Sequence, residues 1–123
     1  MRYLTDRKRA VGKGASGTGT SHHWYMTVSA VALAFMVPTF IYIFGSVLGE
    51  GREAVLATFA RPFPALLTGL VIFIGMQHFA KGATMMIEDY ARGSARKSLV
   101  ILVISLSYAI TAVGLFALAK MAL

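Results

Sequence analysis

His78 is the residue with the clearest capacity for chemistry, because it stands inside an apolar stretch long enough to cross a membrane. It lies about thirteen residues into that stretch, roughly 20 Å along a helix. An ionisable side chain at such depth is costly and usually faces a bundle interior, a cofactor or a conduction path. The alternative is a neutral imidazole that hydrogen-bonds to a neighbouring helix.

The neighbours of His78 suggest what it faces. Gly75, Gly82 and Met85 lie at −3, +4 and +7 from it, on one helical face. Small residues one turn above and below a histidine give clearance for a flat group such as a haem, but the same spacing permits close packing of two helices. The other two histidines precede the first apolar span. A haem with two axial ligands would therefore need its second ligand from a partner subunit.

A carboxylate and a phenol follow at the end of the same stretch. Asp89 lies eleven residues after His78, close to three helical turns, and so returns to nearly the same face; Tyr90 comes next. Quinone carbonyls need hydrogen-bond donors, and their reduction needs protons from water, both of which this pair could supply. Alternatively, the two residues mark the end of a span, where tyrosine and acidic residues are common.

Two further polar features remain open. Lys81 lies about 60° from the His78 line on a helix; its ammonium could snorkel to the surface, pair with an acidic neighbour or meet a haem propionate. The cluster HHWY at 22–25 precedes the first span, where an aromatic belt is the usual interpretation. A role for this cluster near propionates or quinone is the alternative.

The elements that position these residues follow from the hydrophobic pattern. The 123-residue chain is 57% hydrophobic and 14% charged, far from a soluble domain. The apolar residues concentrate in blocks 26–48, 65–87 and 99–121, each near the ~20 residues needed to cross a bilayer. The sequence therefore predicts an all-α integral membrane protein with three transmembrane helices. Because there is no cysteine, disulfides and thiolate ligation are excluded.

The predicted organisation runs as follows: a basic arm at 1–25, transmembrane helix 1 at 26–48, a connector at 49–64, transmembrane helix 2 at 65–90, a connector at 91–98, and transmembrane helix 3 at 99–121. Glycines in the arm, Gly17 among them, disfavour a stable helix there. The sequence AVLATFA in the first connector predicts a short interfacial helix. Pro38 predicts a kink or a locally freed carbonyl in the first span.

The basic residues predict the orientation. The arm holds five Lys and Arg and the 91–98 connector three, against two in the 49–64 connector and one in the tail. The positive-inside rule then places the N-terminus and the 91–98 connector in the cytoplasm, and the 49–64 connector and the C-terminus in the periplasm. The net charge of +7 could also indicate binding of nucleic acid. Because the basic residues flank the apolar spans, we interpret them as determinants of membrane topology.

These residues resemble a known family, the hydrophobic membrane anchor (D) subunits of succinate dehydrogenase, respiratory complex II. The resemblance rests on three spans, a basic arm and the pattern HxxxGxxxxxxDY, which here is His78, Gly82, Asp89 and Tyr90 within QHFAKGATMMIEDYARG. The opening MRYLTDRKRAVGKGASGTGTSHHWYM resembles the alphaproteobacterial branch. The S-x-x-H-R element of the companion cytochrome subunit is absent, which favours the D subunit.

The resemblance implies roles for three residues. His78 would be an axial ligand of haem b shared with the cytochrome b (C) subunit, and Tyr90, supported by Asp89, would hydrogen-bond ubiquinone. The helices would pack with a partner's helices into a haem-containing bundle in a bacterial cell inner membrane. An iron–sulfur subunit and a flavoprotein subunit would complete the complex, and this chain alone would catalyse no succinate chemistry. The family's arginine early in the first span, near 26–27, is missing here, so its contacts are not carried over.

A function of another class stays open. In a small transport or scaffold subunit, His78, Lys81 and Glu88 could form a proton or ion relay through the second span. That interpretation predicts no visible absorption from the purified complex. The anchor interpretation predicts a b-type spectrum that depends on His78.

Overall fold

All regular structure among the described residues is α-helical. The computed structural model describes residues 3–12, 14 and 19–123. The helices are α1 (Asp6–Val11), α2 (Gly19–Gly45), α3 (Arg52–Phe59), α4 (Pro62–Tyr90) and α5 (Gly93–Ala122). By length and composition, α2, α4 and α5 are each able to cross a membrane. The predicted all-α fold with three candidate membrane spans is confirmed.

The three long helices extend beyond the predicted spans. α2 already begins at Gly19, so the 22–25 cluster belongs to the same helix as the first span. α4 begins at Pro62, a residue suited to a first turn because the amide hydrogen that proline lacks has no helical partner there. α2 continues through Pro38 without interruption. Where hydrocarbon begins along each helix stays a prediction.

The arm contains a short helix, so the prediction that its glycines prevent one is wrong for Asp6–Val11. Thr5 caps this helix, because its hydroxyl oxygen accepts a hydrogen bond from the Lys8 amide at 3.2 Å. Gly12 ends the helix with a φ of 53°, a conformation that glycine adopts at little cost. Gly17, on which the same prediction rested, lies outside the described residues, as do residues 1, 2, 13, 15, 16 and 18.

The short helix predicted in the first connector is confirmed as α3. Its Phe59 is 4% exposed and packs with Val47, which follows α2, and with Leu118 of α5. This apolar cluster ties the connector to the end of the bundle opposite Tyr90. The position of α3 relative to the membrane interface stays a prediction.

α4 is the central helix of the arrangement. It packs against both α2 and α5, whereas no Cα atom of α2 lies within 8 Å of one in α5 among the described residues. α2 and α4 are antiparallel, since a residue near the start of α2 contacts one near the end of α4. We call the end of the bundle where α2 begins, α4 ends and α5 begins the Tyr90 end.

The contact between α4 and α5 depends on small residues and apolar packing. A Cβ atom at Gly114 would lie 3.2 Å from Cγ2 of Ile72, so this glycine permits a close approach of the two helices. The buried hydroxyls of α5 are satisfied within the helix: Ser107 donates to the Val103 carbonyl at 2.8 Å, and Thr111 donates to the Ser107 carbonyl at 2.7 Å. The hydroxyls of Ser107 and Thr111 therefore need no hydrogen-bond partner on α4.

Candidate functional site

The imidazole of His78 is fixed by a hydrogen bond between helices. Its Nδ1 lies 2.7 Å from Oγ of Ser29, a residue of α2 that is 49 positions away in the sequence. Ser29 is 5% exposed and His78 is half-buried. This bond is the polar contact by which the middle of α4 is joined to α2.

The other contacts of Ser29 determine the direction of that bond. Its Oγ also lies 2.7 Å from the carbonyl oxygen of Tyr25 and 3.2 Å from that of Met26. A hydroxyl has one hydrogen, and a carbonyl oxygen only accepts, so Ser29 donates its hydrogen to the backbone of α2. The arrangement that places a hydrogen in each of the two 2.7 Å contacts therefore has Ser29 accepting a hydrogen from Nδ1 of His78. By this hydrogen-bond reasoning, the proton of the neutral imidazole is on Nδ1, and Nε2 has a free lone pair.

The Nε2 atom of His78 makes no hydrogen bond within the described residues. A neutral imidazole that donates from Nδ1 leaves the lone pair of Nε2 free to accept a hydrogen bond or to ligate a metal. The part of the chain that the structure describes contains no group of three or more metal-ligating side chains. The described residues therefore offer one imidazole nitrogen here, which fits a single ligand position of a haem.

The glycines beside His78 face α2. A Cβ atom at Gly82 would lie 3.6 Å from Cε of Met26, and one at Gly75 would lie 3.9 Å from Cδ2 of Leu33. Of the two interpretations of these glycines, close helix packing is the one seen within this chain. Side chains of α2 therefore occupy the space beside both glycines.

The neighbouring histidines at the start of α2 take different directions. His22 points at α4, with its Nε2 3.1 Å from Sδ of Met85, whereas His23 is exposed. Adjacent residues diverge by about 100° on a helix, so the two rings do not converge on one ligand. A cavity of about 450 Å³ opens beside them at the Tyr90 end, lined by Gly19, His22, His23, Met26, Met85 and Glu88.

Lys81 has an aromatic partner. Its Nζ lies 4.5 Å from the centroid of the Tyr25 ring, within the range of a cation–π interaction. The three interpretations drawn from the sequence did not include this contact, and no acidic side chain pairs with Lys81 within the described residues. Lys81 also borders a cavity of about 290 Å³ between α2, α4 and α5, together with His22, Gln77, Ala80, Thr84, Ile104 and Tyr108.

Asp89 and Tyr90 lie at the very end of α4, and both are exposed, Tyr90 to 86%. The axial distance from His78 to Tyr90 is about 18 Å for twelve residues of helix. The structure therefore brings neither residue into contact with the imidazole. Glu88 beside them forms an ion pair with Arg96 of α5 at 3.1 Å, which fixes the end of α4 against the start of α5.

Comparison with known proteins adds a family to this geometry. Residues 1–116 match the model of the succinate dehydrogenase/fumarate reductase transmembrane subunit family. The chain is also 47% identical over 123 residues to the succinate dehydrogenase hydrophobic membrane anchor subunit of Paracoccus denitrificans, covering 100% of this chain and 95% of that protein. The chain belongs to this family. No solved structure matches it.

Membership of the anchor family confirms the resemblance seen in the sequence, including its alphaproteobacterial character. The chain is a membrane anchor subunit of the succinate dehydrogenase/fumarate reductase type, it crosses the membrane more than once, and its partners are the other subunits of that complex. The comparisons identify the family and the type of subunit but assign no role to individual residues. The roles of His78, Asp89 and Tyr90 therefore stay predictions.

For an anchor subunit, the alternative of a relay along α4 has little geometric support. His78 contacts α2, Lys81 contacts a different residue of α2, and Glu88 contacts α5. No hydrogen bond joins any two of these three side chains within the described residues. They therefore form three separate contacts among the described residues.

Ser29 is the residue of this anchor's site that sequence reasoning missed. The signal available was a hydroxyl inside the apolar run MTVSAVALAF, since polar side chains within a span usually bond to a neighbouring helix. Serine is also common in such helices because its hydroxyl can bond to the backbone four residues earlier. The sequence alone could not distinguish a serine that does only this from one that also contacts His78.

Proposed function

We propose that this chain supplies one axial ligand of haem b, His78, and part of the ubiquinone site, Tyr90 with Asp89, in a succinate:ubiquinone oxidoreductase. The observation that carries the proposal is the His78 imidazole, held by Nδ1 at 2.7 Å from Ser29 with Nε2 free. Its depth along α4 adds support, because a polar ring within a membrane span usually serves a cofactor or a partner helix.

His78 would hold the haem iron through Nε2. The haem, when bound, supplies a one-electron redox centre inside the membrane. Because Nδ1 is bonded to α2 while the ring is attached to α4, two helices fix its orientation. Since this chain provides one suitable imidazole, the second ligand would come from the cytochrome b (C) subunit. Haem binding would then require both subunits.

Tyr90 and Asp89 would act at the end of α4. The exposed hydroxyl of Tyr90 is available to donate a hydrogen bond to a carbonyl of ubiquinone, and the exposed carboxylate of Asp89 is placed to exchange protons with water. The iron–sulfur subunit, joined to the flavoprotein subunit, would cover this end and deliver electrons obtained from succinate. Succinate itself would be oxidised elsewhere in the complex.

The arrangement of charge supports a cytoplasmic location for the Tyr90 end in a bacterial inner membrane. The start of α2 and the start of α5 lie at this end, so the basic arm and the basic 91–98 connector are on the same side. Eight of the twelve Lys and Arg residues are in these two segments. The positive-inside rule then puts this end in the cytoplasm and α3 on the periplasmic side.

The haem proposal is tested with His78→Ala in the complex purified through this chain, with the exposed His23→Ala as the matched control. We expect His78→Ala to abolish or perturb the b-type bands of the reduced-minus-oxidised spectrum, because the iron loses an axial ligand. His23→Ala should leave the bands unchanged. An assembled His78→Ala complex with the wild-type spectrum would overturn the ligand assignment and return the relay interpretation to consideration.

The quinone proposal is tested with Tyr90→Phe, and the control is Tyr42→Phe, which alters a tyrosine that is 79% exposed towards the other end of the bundle. Loss of one hydrogen bond to the substrate should lower the rate of ubiquinone reduction by roughly 10-fold. Succinate oxidation with an artificial acceptor should be unaffected in both variants. If Tyr90→Phe reduces ubiquinone at the wild-type rate, the phenol has no role in that site.

A further inference from the structure

Ser29 combines three properties that a packing residue would not need together. It is 5% exposed, it lies on a different helix from His78, and its oxygen is 2.7 Å from Nδ1. We propose that Ser29 is the positioning residue of the haem ligand: it holds His78 in one tautomer and one orientation, and it tunes the electron density that Nε2 offers to the iron. This inference rests on the proposed ligation of haem by His78.

The hydrogen bond between Ser29 and His78 runs in one direction. Ser29 donates its hydrogen to carbonyls of α2, at 2.7 Å for Tyr25 and 3.2 Å for Met26. Its oxygen is left as an acceptor for Nδ1–H of His78. The opposite tautomer would place a lone pair of Nδ1 against a hydroxyl whose hydrogen is already engaged. The backbone of α2 thus disfavours the tautomer in which Nε2 carries the proton and cannot bind iron.

The same hydrogen bond changes the strength of His78 as a ligand. An acceptor for Nδ1–H draws the proton away from the ring and makes Nε2 a better electron donor, as outer-shell partners of metal-bound histidines generally do. The Ser29 hydroxyl is itself polarised by the carbonyl that it donates to, and chains of hydrogen bonds strengthen one another in a low dielectric. An electron-rich imidazole stabilises ferric over ferrous haem, so removing the acceptor should favour reduction.

The glycine of the family pattern, Gly82, lies beside this hydrogen bond. Ser29 reaches His78 only if α2 lies close to α4, and a Cβ atom at Gly82 would lie 3.6 Å from Cε of Met26 on α2. Gly82 stands one turn from His78, and Met26 is three residues from Ser29. The glycine therefore lies at the same contact between α2 and α4 that brings Ser29 to His78.

The test compares Ser29→Ala, Ser29→Thr and Ser29→Cys in the assembled complex, with the exposed Ser105→Ala of α5 as the matched control. We measure haem content, the midpoint potential by redox titration and the electron paramagnetic resonance of ferric haem. Ser29→Ala should weaken haem retention by about 10-fold, the scale typical of an outer-shell partner. It should also raise the midpoint potential. Ser29→Thr keeps an acceptor bonded to the same carbonyl and should restore wild-type values, and Ser105→Ala should match wild type.

Three results would overturn the inference. The first is a Ser29→Ala complex with the wild-type potential and resonance signal, even if it assembles less well, because a purely structural serine would change assembly alone. The second applies if Ser29→Ala does not assemble: a Ser29→Cys complex with the wild-type potential, because a thiol of the same shape is a weaker acceptor. The third is loss of haem in His78→Ala with unchanged haem content in Ser29→Ala, which rejects the role of Ser29 and leaves the ligation by His78 standing. Unchanged haem in His78→Ala instead rejects the ligation itself.

Discussion

Along α4, the face towards α5 and the face towards α2 are built from different side chains. Towards α5 the contacts are mostly apolar and tight: Gly69 lies against Leu115 and Leu118, and Gly114 lies against Ile72, with one ion pair of Glu88 and Arg96 at the Tyr90 end. Towards α2, glycine contacts with apolar side chains are joined by three polar or polarisable ones: Ser29 with His78, Tyr25 with Lys81, and His22 with Met85. One helix therefore carries two interfaces that differ in kind.

The two interfaces have different roles: the contact with α5 stabilises the fold, and the contact with α2 sets the geometry of the site. In lipid there is little hydrophobic drive for helices to associate, so the α4–α5 contact depends on close van der Waals packing. At the α2–α4 contact, a few directed interactions fix the orientation of one ring. Changes on the α5 side should therefore affect stability and leave the haem unchanged, whereas changes on the α2 side should affect the haem.

Gly114→Val should have the largest effect on stability. The added atoms would meet Ile72, where even a Cβ atom would lie at 3.2 Å, and overpacking of this kind costs about 1–3 kcal/mol. We expect a complex that unfolds at lower detergent-denaturant concentration while its haem spectrum is unchanged. Gly45→Val is the control, since a Cβ atom there meets no atom within 4 Å. A shifted haem spectrum in Gly114→Val would show that the two faces are not independent.

The contact between Lys81 and Tyr25 should have a smaller effect, measurable as a coupling. A double-mutant cycle of Lys81→Met and Tyr25→Leu should give a favourable coupling of about 0.5–2 kcal/mol in the denaturation of the complex, the range of a cation–π interaction. The cycle of Lys81→Met with Tyr42→Leu is the control and should be additive, because Tyr42 lies on α2 towards the other end of the bundle. Additivity in both cycles would mean that the 4.5 Å contact contributes nothing.

The ion pair of Glu88 with Arg96 should have the smallest effect. Both side chains are 47% exposed, and such pairs contribute about 0.2–1 kcal/mol, less at high salt. Glu88→Gln should therefore lower stability slightly, and the difference from wild type should disappear in high salt. Glu53→Gln serves as the comparison, because Glu53 is almost fully exposed in its 3.9 Å pair with Arg52. A large, salt-independent loss for Glu88→Gln would assign this carboxylate a role beyond the pair.

The fold was predictable because its signals are local. Three apolar blocks and the connector sequence AVLATFA identify α2, α4, α5 and α3 without knowledge of how they pack. The helix in the arm was missed because all the glycines of the arm follow it in the sequence. Thr5 caps the start of this helix and Gly12 ends it, so the glycines disfavour helix only beyond Val11. A helix propensity summed over the whole arm does not separate these two parts.

The site was predictable only in part, because its contacts depend on the register between helices. His78 stands out in the sequence as a polar residue in an apolar span, but its partner Ser29 is 49 residues away and of a common type. The aromatic partner of Lys81 likewise became visible only when α2 lay against α4. Asp89 and Tyr90 are exposed at the end of α4, and the site proposed for them requires surfaces of other subunits.

The interface between α2 and α4 also bears on how the chain enters the membrane. α4 has the lowest mean hydropathy of the three candidate spans and contains both His78 and Lys81, which oppose its insertion. α2 precedes it in the chain and brings Ser29 and Tyr25, the groups that these side chains contact. Because synthesis runs from the N-terminus, we expect α2 to be available in the bilayer when α4 inserts. Contacts with α2 would then lower the cost of placing His78 and Lys81 in the membrane.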